Sequence, residues 1–192
     1  MPLESPVKIS LLRLRNRTDR KRKLTITLYN ELVLGVQRTT SAPYVITEIN
    51  QASASIFAHN PFNNEFAGRV AFAATNERVS SATCDRKEFL GRNGTLAQPA
   101  ALRRVNLAGR DGAGLDPCAA LQVTIELAPN EAREVIFLLG EAASKEEAES
   151  VIAKFVQPAN VNGAFEEVLT HWDTLLRTTS QVIALLPQRR KS

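Results

Sequence analysis

The feature that most constrains this chain lies between residues 121 and 139. Leu121, Val123, Ile125 and Leu127 alternate with Gln122, Thr124 and Glu126, a period of two that suits a strand with one buried face and no helix. Ala128-Pro129-Asn130-Glu131 supplies turn residues, and residues 135–139 follow as a continuous apolar run. Alternation, turn and apolar run together predict a β-hairpin. A chain organised around such a unit must find a second layer to cover the apolar face.

The rest of the first 140 residues continues the pattern. Val7, Ile9 and Leu11 are followed by Leu12 and Leu14, a phase slip expected of a strand that carries a bulge or is buried on both faces. Leu24, Ile26 and Leu28 alternate with Thr25, Thr27 and Tyr29, so residues 16–22 are expected to form a hairpin turn with solvated charges. Shorter β-like stretches fall at 44–49, 55–58 and 69–74, divided by His59-Asn60-Pro61 and Asn63-Asn64. After Gly140 the period changes to 3.6. Ser144 and Glu147 form a capping box ahead of Ala148, Val151, Ile152 and Phe155. A second helix is expected over 162–177 with Asn162 as its N-cap, placing Phe165, Val168, Leu169, Trp172, Leu175 and Leu176 on one stripe that must cover something. The expected organisation is a two-layer antiparallel β-sandwich over 1–142, linker helices over 143–178 and a basic tail over 179–192.

Composition narrows the function classes. The chain has a net charge of +4, but residues 13–23 alone carry +6 and Arg189, Arg190 and Lys191 add +3, so the rest stands at −5. That is a mildly acidic body with two basic ends, and neither end offers aromatic residues for base stacking, so no nucleic-acid partner is expected. No stretch approaches the roughly 18 apolar residues of a membrane span, and the start MPLESPVKIS lacks the layout of a secretory signal. A soluble, cytoplasmic chain with no direct membrane insertion is expected. Cys84 and Cys118 read as buried small hydrophobes, and His59 and His171 are too far apart in sequence to suggest a ligand cluster. No metal and no cofactor are expected.

Residues 80–122 have weak strand signal and are dense in Gly, Asp, Arg and Pro, and long irregular segments are where function concentrates. Arg86, Arg92, Asp85, Glu88 and Asp116 offer donors and acceptors, while Phe89 and Leu90 form an apolar anchor between glycine-flanked turns. Such a set suits sugar hydroxyls, a subunit interface, or ion pairs that only hold the loop together.

The same stretch resembles a known family. Asp85-Arg86-Lys87-Glu88-Phe89-Leu90-Gly91-Arg92-Asn93-Gly94, then Pro99-Ala100-Ala101-Leu102, then Asp116-Pro117-Cys118-Ala119-Ala120-Leu121-Gln122 are similar to runs in the N-terminal domain of cyclic β-1,2-glucan synthases and the cellobiose- and chitobiose-phosphorylase family. Asn60-Pro61-Phe62-Asn63-Asn64-Glu65-Phe66 and Phe137-Leu138-Leu139-Gly140 extend the likeness from about Val7 to Trp172. The resemblance implies a galactose-mutarotase-like supersandwich, linker helices and, in full-length relatives, an (α/α)6 barrel that carries the catalytic acid and the phosphate site. It also implies a transferase fragment: the sequence from Thr179 to Ser192 departs from the family segment that leads into the barrel, as a truncation or frameshift would make it do.

The function so implied is a non-catalytic, carbohydrate-binding-like domain that packs on the barrel, helps to form a homodimer and borders the site of a β-glucan or oligosaccharide. Synthase relatives are associated with the inner membrane. Arg86, Glu88, Phe89, Arg92 and Asp116 are the ligand-binding or interface candidates, with no catalytic residue of the chain's own. Two alternatives stand beside this reading: a dimerisation module without a ligand, and a stand-alone glycosidase using a pair among Asp85, Glu88, Asp111 and Asp116.

Overall fold

The computed structural model describes residues 1–185, with side chains through 178. Eight strands form two antiparallel sheets: β1 Val7–Arg15, β2 Arg22–Glu31, β3 Ile46–Asn50, β4 Ser55–His59, β5 Val70–Thr75, β6 Val79–Asp85, β7 Pro117–Leu127 and β8 Ala132–Ala142. One sheet has the order β1-β8-β5-β4-β3 and the other β2-β7-β6. The short helix α1 Arg38–Ser41 sits between β2 and β3, and α2 Arg86–Leu90 follows β6; α3 Lys145–Phe155 and α4 Pro158–Leu185 close the described chain.

Residue parity along the strands sorts the core into layers. On β7 the odd residues Leu121, Val123, Ile125 and Leu127 face the space between the sheets, where they meet Ala73, Val135 and Phe137 of the five-stranded sheet. On β8 the even residues Ile136 and Leu138 point the other way, into a second layer filled by Val7, Phe57, Phe72 and by Ala148, Ile152 and Phe155 of α3. The unbroken apolar run at 135–139 is thus a central strand covered on both faces. The phase slip of β1, an edge strand, reflects apolar residues that turn to both sides of the sheet. Its pairing with β8 runs without a bulge from Val7 opposite Gly140 to Arg15 opposite Ala132, Val7 packs under the helices, and Leu14 packs between the sheets.

Both expected hairpins are corrected. β7 and β8 belong to different sheets, as do β1 and β2, so residues 128–131 and 16–21 are arches that carry the chain across the sandwich. The alternation and turn residues are the same for an arch and a hairpin; only the layer that each apolar face seeks distinguishes them. Asn16 locks the two arches together. It is buried, its amide donates to the carbonyls of Arg20 (2.8 Å), Leu127 (3.1 Å) and Ala128 (2.9 Å), and its backbone N–H donates to Glu131 O at 2.9 Å.

The strand β6 and the start of α4 also differ from expectation, while the start of α3 does not. β6 lies inside the stretch of weak strand signal, because its inward residues Ala82 and Cys84 are small and carry little hydrophobic pattern. Ser144 caps α3 as expected, accepting from Glu147 N at 3.2 Å, while the Glu147 carboxylate reaches back to Ala143 N at 2.8 Å. Asn162 is not a cap: α4 begins at Pro158, the first-turn position where a missing N–H costs nothing, and Asn160 and Val161 donate to Gln157 O. Val161 and Ala164 are buried against the second layer, but Leu169, Trp172 and Leu176 are 71%, 53% and 61% exposed. The stripe is not folded back onto the sheet, and Trp172 is not shielded within the single chain. Arg189, Arg190 and Lys191 lie outside the described residues.

Candidate functional site

The segment between β6 and β7 folds against the outer face of the three-stranded sheet. Asp85, the last residue of β6, caps α2: its Oδ1 accepts from Lys87 N (3.0 Å) and Glu88 N (3.4 Å), and its Oδ2 accepts from Arg110 Nη1 at 2.6 Å. This cap aims Phe89 and Leu90 down onto Ala120, where Ala101 and Leu107 complete a small buried cluster. Phe89 stacks on Tyr29 of β2 with ring centroids 4.4 Å apart.

Of the five candidates, Arg86 and Asp116 are brought together. Arg86 Nη1 donates to Asp116 Oδ2 at 3.2 Å and its Nε to Glu31 Oε1 at 2.9 Å. Arg38 closes the figure, donating to Asp116 Oδ1 at 2.6 Å and also to Glu31 Oε2. Two guanidiniums and two carboxylates therefore alternate around a ring in which each acid bridges both arginines, an arrangement that planar forked groups favour. Arg86 beside Glu31 holds that carboxyl below the ordinary glutamate range, against the opposing effect of partial burial. Tyr29 donates to Glu31 Oε1 at 3.2 Å, and its phenol is pushed above its usual value, chiefly by burial.

Glu88 and Arg92 stand outside this ring. The Glu88 side chain is 7% exposed with Arg104 Nη2 2.6 Å from its Oε1; that nitrogen aims its N–H at the Glu88 carbonyl oxygen, 2.7 Å away, so neither carboxylate oxygen receives an aligned hydrogen bond. Arg92 lines a separate cavity beyond Gly91. Of the four acids weighed as a glycosidase pair, Asp85, Glu88 and Asp116 face arginines, and Asp111 accepts from Ile49 N at 2.8 Å.

Sequence reasoning missed Tyr29, Glu31 and Arg38. Tyr29 and Glu31 share the outward parity of β2, so extending its alternation by two residues would have found them. Arg38 sits in a segment without pattern, and nothing in its neighbours signals a partner 78 residues away.

Two antiparallel sheets, a helix pair over one of them and a long capped loop on the other define a supersandwich domain. The chain belongs to the glycosyl hydrolase 94 supersandwich domain family, whose pattern matches residues 1–158. It is 33% identical over 168 residues to the cyclic beta-(1,2)-glucan synthase NdvB of Rhizobium meliloti (strain 1021); the match takes in 87% of this chain and 6% of that protein. A solved structure named as a kojibiose phosphorylase from the human microbiome is matched over 82% of this chain and 20% of its own at 12% identity and a TM-score of 0.33, too distant to bear on fold or function. No helix among the described residues is long and apolar enough to cross a membrane.

Proposed function

We propose that this chain acts as a non-catalytic accessory domain in carbohydrate metabolism, within a cytoplasmic cyclic β-1,2-glucan synthase or related glycoside phosphorylase. Its work is packing, dimerisation and bordering a sugar site. The observation that carries the reading is the ring of Glu31, Arg38, Asp116 and Arg86. Arg86 and Asp116 of the family-like loop are spent on each other and on Glu31 of β2 and Arg38 of α1, which gives a rigid platform and leaves neither of them free to act as an acid or base. Incubation with sophorose or cellobiose plus phosphate should release no glucose 1-phosphate, whereas calorimetry with β-1,2-gluco-oligosaccharides should show binding. Turnover lost on changing Asp116 would overturn the accessory role.

A second reading, a dimerisation module without ligand, is favoured by the exposed stripe of α4. Leu169, Trp172 and Leu176 stand exposed along one stripe of the helix, and a contiguous exposed apolar patch is the mark of an interaction surface. Calorimetry without heat on any glucan, together with a dimer in light scattering, would select it.

A further inference from the structure

Residues 86–116 contain five arginines. Arg86, Arg104 and Arg110 each face a carboxylate. The other two, Arg92 and Arg103, have neither an ion pair nor a side-chain hydrogen bond among the described residues, and both line the same cavity of about 310 Å3. No acid lines it. Asn93, Thr95 and Gln98 also line it, and their side chains likewise make no hydrogen bond within the described chain. Two exposed guanidiniums line one open hollow whose walls carry no counter-charge, a positive lining that favours an anion.

The hollow is built rather than floppy. Gly91 N donates to Lys87 O at 2.9 Å, Gly94 N to Gly91 O at 3.3 Å and Gln98 N to Thr95 O at 3.1 Å. Gly91 takes φ +83°, and a Cβ on Gly94 would lie 1.7 Å from the Leu90 carbonyl oxygen, so this turn has one backbone path. Buried Leu90 anchors its floor. The volume is at the low end for ligand sites and admits one small molecule.

We infer that the Arg92–Arg103 hollow binds a compact oxyanion of the phosphate type, free or carried on a small hydroxylated molecule. The arginines take the oxyanion in forked hydrogen bonds, and Asn93, Thr95 and Gln98 meet the hydroxyls. The site is independent of neutral glucan binding, so either can fail without the other. The test is titration of the chain with inorganic phosphate, glycerol 3-phosphate and glycerol, followed by amide NMR and calorimetry. Both anions should shift the Gly91 and Gly94 amides while glycerol does not, and Arg92→Gln with Arg103→Gln should weaken binding at least about tenfold per arginine. Tighter binding of glycerol 3-phosphate than of phosphate would support the hydroxylated ligand; equal binding would support the free oxyanion. No shift with either anion at tens of millimolar, or shifts that survive the double substitution, would overturn the proposal. Because both arginines are exposed and without partners, the variants should keep the wild-type circular dichroism.

Discussion

Tyr29 and Phe89 lie nearly parallel, with their rings 13° apart in plane and their centroids at 4.4 Å. A strand residue and a residue of the short helix α2, 60 positions apart, are thereby joined into one stacked unit over Ala120, and offset stacking adds to the area that both rings bury. Phe89→Ala should cost about 3–5 kcal/mol in urea unfolding and should speed amide exchange through residues 86–107. Phe89→Leu should cost less and leave exchange near wild type. Equal exchange in both variants would show that the stack does not hold the loop.

Glu31 gives the ring a pH signature. Its carboxyl is held below its ordinary value, first by the hydrogen bond from Arg86, so its stabilising contribution is complete above the unfolded-state value and is lost as pH falls through the folded-state value. Stability measured by denaturant should fall on acidification below about pH 4.5. Glu31→Gln should be less stable at neutral pH and show a shallower acid limb.

Asn16 ties three carbonyls from two arches. Asn16→Asp keeps the size of the side chain but has no N–H to donate, so all three carbonyls lose that donor and a carboxylate faces them instead. It should lose about 1–3 kcal/mol, read from the midpoint of chemical unfolding. Thr18→Ala removes the γ-methyl and the hydroxyl that donates to Asn16 Oδ1 at 2.7 Å but leaves the Asn16 amide donors in place, and should cost a smaller amount.

Cys84 and Cys118 are both fully buried. Burial pushes the Cys84 thiol up to about 12 and raises that of Cys118 as well. Neither should react with a disulfide reagent at neutral pH in the folded chain, and both should react in denaturant. Prompt labelling of the folded chain would mean that the sandwich opens locally at β6 or β7.

Trp172, 53% exposed in the single chain, reports on the stripe of α4. If two copies pair through Leu169, Trp172 and Leu176, light scattering should give a dimer, and Trp172 should become less accessible to acrylamide as concentration rises. A monomer with concentration-independent quenching would remove self-pairing from the proposed function.

The β content, the two-layer architecture and the start of α3 were legible in the sequence, because alternation and the Ser144 capping box act over a few residues. What stayed hidden depends on long-range choice. Nothing local says that Leu127 and Val135 flank an arch, since a hairpin satisfies the same alternation. β6 was obscured because Ala82 and Cys84 fill a narrow gap between sheets with little hydrophobic bulk. At the site, the family-like run pointed to Arg86 and Asp116, and the structure brings them together. Their second partners, Glu31 and Arg38, come from β2 and α1, which only the folded sheet brings alongside.

The two arches also set an order of events during synthesis. β1 and β2 are the outermost strands of their sheets on one side, and among the described residues their sheet neighbours are β8 and β7 alone. The first two strands thus leave the ribosome more than 80 residues before their partners exist. Residues 7–31 must wait with both edges open until residues 117–142 emerge, and closing so long a loop slows assembly. The charges in Arg13, Arg15, Arg22 and Lys23 fall at the ends of these waiting strands, where they discourage pairing with a neighbouring nascent chain.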